Sequence, residues 1–513
     1  MIESVLIANR GEIAVRIIRA CRELGLRSVA VYSEADQHAP HVLLADQAYL
    51  LGPAPSAQSY LRVDRLLEAA KEAGADAVHP GYGFLAERAL FARAVEEAGL
   101  VFVGPTAETI AAMGDKTEAR RRMEEAGVPI VPGTTDALAD ADAALAAAEE
   151  MGFPVLLKAA AGGGGKGMRV VETPDELPRA LEAARREAKG AFDDESVYLE
   201  RYLDRPRHIE IQLLGDTHGN VIHLGERECS IQRRHQKVVE EAPSPVLDEE
   251  TRAAMGEAAV RAARAVDYRG AGTVEFLYQE GEFFFLEMNT RIQVEHPVTE
   301  LITGVDLVQW QLRIAGGEEL PLTQDQVRFQ GHAIECRITS ESPEEGFLPS
   351  TGTVRHLEIP GGPGVRWDGG IAQGVEVGLH YDPLLGKLIV HAPDREGAVA
   401  RMARALDELV VDGVETSRAF LRRVMSEDDF RKGDLTIRYL EEHPELLDGT
   451  GQASDPEDLR TAAAVAALLE AEHRSRTRTP RIGRGQDPGA NSVPRTRTPS
   501  AWEIALHPWK GGR

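Results

Sequence analysis

From residue 4 to about residue 104, short apolar runs alternate with amphipathic stretches. Val5-Leu6-Ile7-Ala8 reads as a strand, Asn9-Arg10-Gly11-Glu12 as a turn and residues 13–24 as a helix. Strand patterns at 28–32, 77–79 and 100–103 then alternate with helical ones near 63–73 and at 88–98. This order predicts a doubly wound parallel sheet covered by helices. A helix at 115–126 starts on Asp115 and is stopped by Gly127-Val128-Pro129. Strand patterns flank a glycine run at 162–167, and a hinge separates strands at 197–203 and 207–213. After a helix at 307–315, strands at 331–338, 352–357 and 386–391 and a helix at 395–409 read as a separate α+β domain.

The alternation is richest in chemistry at residues 273–300. Two strand patterns, TVEFLY and EFFFLEMN, flank Gln279-Glu280-Gly281. With those three residues as the loop, Tyr278 faces Glu282 and Glu275 pairs with Phe285. Glu287 then lies one diagonal step away on the same face, with Asn289 and Arg291 beyond it. A four-residue loop reverses this parity. Two carboxylates and an amide on one surface suit a hard cation such as Mg²⁺ or Mn²⁺, because close like charges repel without one. An ordinary amphipathic hairpin with one solvated face fits the same alternation.

Composition narrows the classes. The chain has 513 residues, enough for about three domains, and 43% hydrophobic content, as in a soluble globular protein. No apolar run reaches membrane-span length and the N-terminus opens on a strand pattern, so a cytoplasmic protein without a membrane partner is expected. A net charge of -25 disfavours nonspecific nucleic-acid binding. Cys21, Cys229 and Cys336 lack metal-ligand or redox spacing and read as buried thiols.

Several motifs carry candidate chemistry. The first turn lacks GxGxxG, which disfavours a nicotinamide enzyme. Gly162, Gly164 and Gly167 do spell that motif, but a strand pattern follows instead of a helix, and no Ser or Thr completes a phosphate loop of the Gly-Lys-Ser/Thr kind. What remains is a flexible glycine loop between strands, able to close over phosphates, with Lys158 and Lys166 supplying charge. Lys116 in the first turn of its helix opposes the helix dipole, as a phosphate-facing or a merely solvated lysine would. His79-Pro80-Gly81-Tyr82-Gly83-Phe84 follows a strand, where ligands bind in open sheets, and reads equally as a plain turn. Arg233, Arg234, His235 and Lys237 gather positive charge in an acidic chain, as an anionic substrate or a solvated loop requires.

Taken in order, ANRGEIAVRIIRA, HPGYGFLAE, MGDK, KAAAGGGGKGM, QRRHQKVVEEAP, FLEMNTRIQVEHPVTE, GHAIECRI and YDPLLGKLI closely resemble the biotin carboxylases, the ATP-grasp subunits of acetyl-CoA and related carboxylases. The resemblance covers about residues 2–447. It implies a mixed α/β and α+β chain with an N-terminal domain at 1–113 and an ATP-grasp domain at 114–325 whose lid spans about 131–203. A C-terminal biotin carboxylase domain at 326–447 and a tail at 448–513 complete it. Lys116, Lys158, Gly163, Gly164, Gly165, Lys166, Glu200, Arg201, Leu203, His208, Gln232 and His235 fall at its ATP positions. Glu275, Glu287 and Asn289 match its ligands for a pair of Mg²⁺ or Mn²⁺ ions. Lys237, Arg291, Gln293 and Val294 match its bicarbonate pocket, with Tyr82 and Arg337 on the biotin side. Glu295 matches its general base and Arg337 the arginine facing biotin.

The implied reaction makes carboxyphosphate from ATP and bicarbonate and then carboxybiotin. Arg201 and Lys166 stand where relatives commonly have Lys and Arg, and Ile338-Thr-Ser-Glu-Ser-Pro343 departs from the usual Ile-Asn-Ala-Glu-Asp-Pro. No Ala-Met-Lys-Met biotinylation sequence occurs, so biotin is expected on a separate carrier protein, with a carboxyltransferase as further partner. Relatives are often homodimers, and Arg19 with Glu23 could serve such an interface or pair within their helix. The basic, Pro-, Gly- and Ser-rich stretch after about residue 473 reads as disordered or partner-ordered, and 501–509 as a docking segment. Other ATP-grasp ligases and a nucleotide-binding regulator are the competing readings. The first lacks the QVEHP and RRHQK elements, and the second is disfavoured by the presence of Glu287, Glu295 and Arg337.

Overall fold

The computed structural model describes residues 2–134, 137–159, 168–192, 194–448, 465, 467 and 468. The chain divides into Met1–Gly451 and Gln452–Arg513. Of the second unit three helical residues are described, so the docking segment at 501–509 lies outside the described residues, as do Gly163, Gly164, Gly165 and Lys166.

The N-terminal sheet is parallel and five-stranded: β1 (Ser4–Ile7), β2 (Arg27–Ser33), β3 (Gln47–Gly52), β4 (Ala77–His79) and β5 (Val101–Phe102), in the order β3-β2-β1-β4-β5. Both faces of β1 are buried, which is why its run is continuously apolar. Val5 and Ile7 pack with Ile13, Ile17 and Ile18 of the helix Gly11–Glu23, while Leu6 packs with Val29, Leu66 and Phe91 on the other side. The sequence reading missed β3. It is an edge strand with only Leu51 and Gly52 buried, so it carries little apolar signal. On the first helix Arg19 and Glu23 turn to different partners: Glu23 accepts from Gln309 at 2.7 Å, and Arg19 lies 4.0 Å from Asp368.

A three-stranded antiparallel sheet, β6 (Val155–Ala159), β7 (Met168–Val171) and β8 (Val197–Arg201), has its own core under the helices Ala141–Met151 and Leu177–Phe192. The remaining sheet is eight-stranded. It contains β9 (Arg207–Gly215), β10 (Val221–Arg233), β11 (Gln236–Ala242), β12 (Gly270–Gln279), β13 (Glu282–Asn289) and β14 (His332–Thr339) in the order β13-β12-β9-β10-β11-β14, followed by Leu384–Ala392 and Val365–Gly369. It crosses residue 326 without interruption, because β14 pairs directly with β11. Periodicity reads strands but not the edge each one joins: the predicted strands at 331–338 and 386–391 extend the central sheet, whereas the run at 352–357 falls in two separate two-stranded pairings.

The β12–β13 hairpin departs from its expected register in two places. Its turn is Glu280-Gly281 alone, with φ of 53° and 87°, so Gln279 rather than Tyr278 faces Glu282. Two left-handed residues give the hairpin turn whose twist matches the strands. A bulge between Glu275 and Phe276 then adds a second shift, and Glu275 faces Glu287 directly while Thr273 faces Asn289. Two single-residue shifts restore the original parity, so Glu275, Glu287 and Asn289 do share one face.

Candidate functional site

The β10–β11 turn, Arg234-His235, also has positive φ at both residues, 48° and 67°. It folds the basic cluster back over the sheet as a hairpin rather than a loose loop. A cleft of about 460 Å³ opens between this hairpin, β13 and the lid strands. Lys116, Lys158, His208, Gln232 and His235 line it. Lys237, Glu275, Glu287, Asn289, Arg291, Gln293, Val294, Glu295 and Arg337 line it too.

Lys237 is the hub. Its Nζ donates to Glu275 Oε1 at 2.9 Å, Glu295 Oε1 at 2.6 Å and Glu210 Oε2 at 2.5 Å. Burial opposes its charge, and Glu210, Glu275 and Glu295 outweigh burial, so it stays protonated well above the ordinary lysine range. The second oxygen of Glu295 accepts from Arg337 at 2.9 Å. Burial disfavours the Glu295 carboxylate, but Lys237, Arg337 and Arg227 together hold it well below the usual carboxylate range. Glu295 is therefore an anion clamped between two cations.

Glu275 is held in the same way. His208 Nε2 lies 2.9 Å from Oε2, and Oε1 accepts from Asn289 at 2.8 Å and Gln293 at 2.7 Å. Burial again opposes its charge and Lys237 and His208 prevail, so its acidity is strongly increased. Glu287, across the strand pair, is pushed the other way by burial and by the charge of Glu275. An all-oxygen set in which the charge of one carboxylate raises the other fits a hard divalent cation, which removes that repulsion.

Of the expected nucleotide positions, Lys116, Lys158, His208, Gln232 and His235 line this cleft and Glu200 lines a neighbouring cavity of about 260 Å³, whereas Arg201 and Leu203 line neither. Lys116 and Lys158 border both. Glu200 pairs with Lys158 at 2.5 Å and with Arg120 at 2.9 Å. Arg201 reaches Glu282 at 2.9 Å and stacks over Phe284, and Leu203 packs with Val131 and Phe284. Gln232 donates to the Cys229 carbonyl at 2.8 Å. Arg291 lies 3.0 Å from Glu87 and donates to Asn289 Oδ1 at 3.0 Å. Tyr82 is placed apart from these, in a third cavity of about 300 Å³ with Asn9, Phe84 and Tyr381, its hydroxyl bonded to Glu12.

Several functional side chains escaped the sequence reading. Arg227, fully buried, binds Glu210 at 2.5 Å and Gln293 at 3.0 Å, tying two strands to the loop that carries Glu295. Lys387, also buried, donates to the Val294 carbonyl at 2.7 Å. Glu210 and Arg227 stand in strands outside the quoted motifs, and Lys387 lies within YDPLLGKLI; the partners of all three are revealed only by cross-strand pairing.

The chain matches the family descriptions "Biotin carboxylase, N-terminal domain" over residues 1–110, "Carbamoyl-phosphate synthase L chain, ATP binding domain" over 115–323 and "Biotin carboxylase C-terminal domain" over 335–442. It is 53% identical to the biotin carboxylase of Haemophilus influenzae over 442 residues, 86% of this chain and 98% of the relative. It is 50% identical to the 2-oxoglutarate carboxylase small subunit of Hydrogenobacter thermophilus over 474 residues, 92% of this chain and 100% of that one. The crystallised biotin carboxylase domain dimer of the Hydrogenobacter thermophilus 2-oxoglutarate carboxylase, in complex with MgADP, ADP and bicarbonate, superposes with a TM-score of 0.81 at 52% identity. That match covers 87% of this chain and 99% of the domain.

Proposed function

The chain belongs to the biotin carboxylase family, and from that premise we propose that it carboxylates biotin with ATP and bicarbonate, the first half-reaction of a biotin-dependent carboxylase. The observation that carries the reading is the Lys237–Glu295–Arg337 array, in which one buried carboxylate faces a metal-side cation and a biotin-side cation.

Lys116, Lys158 and His208 bind the nucleotide phosphates, and the hinge at Glu200, Arg201 and Leu203 receives the base, with Gln232 and His235 close by. Gly163, Gly164, Gly165 and Lys166, outside the described residues, are the remaining nucleotide candidates. Glu275, Glu287 and Asn289 would hold Mg²⁺ or Mn²⁺, whose positive charge would offset that of the phosphates. Arg291, Lys237, Gln293 and the Val294 backbone seat bicarbonate. When Lys237 turns from Glu295 to this anion, the carboxylate loses one of its clamps and its proton affinity rises. Glu295 then takes the bicarbonate proton while the freed oxygen attacks the γ-phosphorus and ADP leaves. Carboxyphosphate splits to CO₂ and phosphate, and the phosphate accepts the ureido N–H proton of biotin. Arg337 stabilises the enolate oxygen and the biotin nitrogen attacks CO₂.

The carrier protein bearing biotin and the carboxyltransferase are separate partners, and the carboxyltransferase chooses the acyl-CoA or 2-oxo acid acceptor. The functional unit is a homodimer, as in the crystallised Hydrogenobacter domain. The test is ADP release with ATP, Mg²⁺ and bicarbonate, with and without free biotin. A bicarbonate-requiring rise with biotin, lost in Glu295→Ala and Arg337→Ala, is the expected result. Turnover indifferent to biotin in protein that binds ATP, with carrier-borne biotin equally inert, rejects the reading.

A further inference from the structure

The sheet face behind Arg337 carries more carboxyl groups than its cations can match. In the pairing of β11 with β14, Glu240 lies directly opposite Glu335. Their side chains therefore leave the sheet on one face, with Cβ atoms about 5 Å apart. Arg337 is two residues further along β14 on the same face, and its Nε donates to Glu240 Oε1 at 2.6 Å. Both glutamates are fully buried. Among the described residues, Glu240 Oε2 and both oxygens of Glu335 have no hydrogen-bond partner.

The cations nearby are engaged elsewhere. Lys387, opposite Arg337 on the next strand, holds the Val294 carbonyl at 2.7 Å and lies 3.3 Å from Glu12. Lys237 is shared among Glu210, Glu275 and Glu295. The remaining cation, Arg337, already serves Glu295 as well as Glu240. Two facing carboxylates in a dry site cannot both stay ionised on such terms, and a pair of this kind titrates as a unit that keeps one proton. An O–H on Glu335 finds its acceptor in Glu240 Oε2, which gives partners to atoms on both side chains that otherwise lack them.

We infer that Glu240 and Glu335 form a carboxyl pair sharing one proton, and that this pair positions Arg337, holding its guanidinium against Glu295 until biotin arrives. The inference rests on the reading of Arg337 as the residue facing biotin. Glu240 and Glu335 are positioning residues: neither touches the cleft, and both act through the arginine. The charges facing Glu240 are Glu335 and Arg337 from β14, Glu295 from the segment after β13 and Lys237 from β11 itself; Lys387 faces Glu335. Burial, opposed by Arg337 and reinforced by Glu295, pushes Glu240 up to about 7, and burial lifts Glu335 well above the carboxyl range. Near neutral pH the pair thus presents one negative charge. At alkaline pH the shared proton leaves, the added anion draws Arg337 from Glu295, and biotin-dependent turnover falls.

Two measurements test this, the first independent of catalysis. The infrared difference spectrum of wild type minus Glu335→Gln should show a protonated-carboxyl stretch at neutral pH that disappears at alkaline pH. A carboxylate band in its place overturns the shared proton. The second is biotin-dependent ADP release against pH and biotin concentration for Glu240→Gln, Glu335→Gln and Arg337→Ala. Glu335→Gln, a permanent neutral donor, should keep the neutral-pH kcat and lose the alkaline fall. Glu240→Gln should lower kcat about 100-fold, the cost of displacing a catalytic group by about an ångström. Wild-type kcat in Glu240→Gln, or an unchanged alkaline limb in Glu335→Gln, overturns the positioning role. Full biotin dependence in Arg337→Ala instead rejects the assignment of Arg337, and leaves the infrared result to stand alone.

Discussion

Lys237 shows how one side chain sets the state of several others. Replacing it with Met leaves Glu210, Glu275 and Glu295 without their common cation, and breaking a buried ionic network costs about 3–5 kcal/mol. The expected outcome for Lys237→Met is a lower urea midpoint at neutral pH together with loss of bicarbonate-dependent ADP release. The pH dependence has a definite sign. Glu275 and Glu295 are depressed in the folded chain, so their stabilisation is present above the ordinary value of 4.5 and is lost as pH falls toward their folded values. The midpoints of wild type and Lys237→Met should therefore converge on acidification below about pH 4.5. Glu287 has the opposite sign, because burial and Glu275 raise it and its ionisation destabilises the fold as pH rises above 4.5. Glu287→Gln should weaken activation by Mg²⁺ while leaving stability equal or higher at neutral pH, as read by Mg²⁺ titration of ADP release and by urea unfolding.

The element that delivers these groups is the β12–β13 hairpin, and its bulge does more than its turn. The turn residues Glu280 and Gly281 and the adjoining Glu282 are exposed, and the bulge lies between them and the site. Inserting one residue between Glu280 and Gly281 should leave the Mg²⁺ dependence intact, since the paired strands beyond the bulge keep their register. Deleting Met288, beyond the bulge, moves Asn289 from its place opposite Thr273 to one opposite Val274 and so turns it to the other face. Saturable Mg²⁺ dependence should then be lost. The alternation of TVEFLY with EFFFLEMN made the shared face legible. The loop length and the bulge were not, because a two-residue turn and an extra strand residue shift the register in compensating steps that leave the pattern of alternation unchanged. The edge strand β3 carried no signal for a different reason: its exposed and buried positions do not alternate, so it has no two-residue period to read.

On the scale of the molecule, the eight-stranded sheet brings the site together. Glu275 and Glu287 come from one side of it, Lys237 from β11 and Arg337 from β14, all along one continuous ladder of hydrogen bonds. If β11 and β14 open as a unit, their amides should exchange with solvent with the same free energy and the same denaturant dependence. Independent exchange of β14 with the strands after it would mean that residues 326–447 fold apart from the site.

Local periods, caps and the motifs that carry the resemblance are properties of the chain alone, because they depend on neighbours a few residues away. Charged residues at 275, 287, 291, 295 and 337 could be singled out in this way. That β14 joins β11, that Arg227 and Lys387 are buried among carboxylates, and that Glu240 faces Glu335 are matters of the folded arrangement. Backbone hydrogen bonding at a strand edge is indifferent to side-chain identity, so the sequence leaves the pairing open. The charge state of a buried group is set by whichever residues that pairing places across from it.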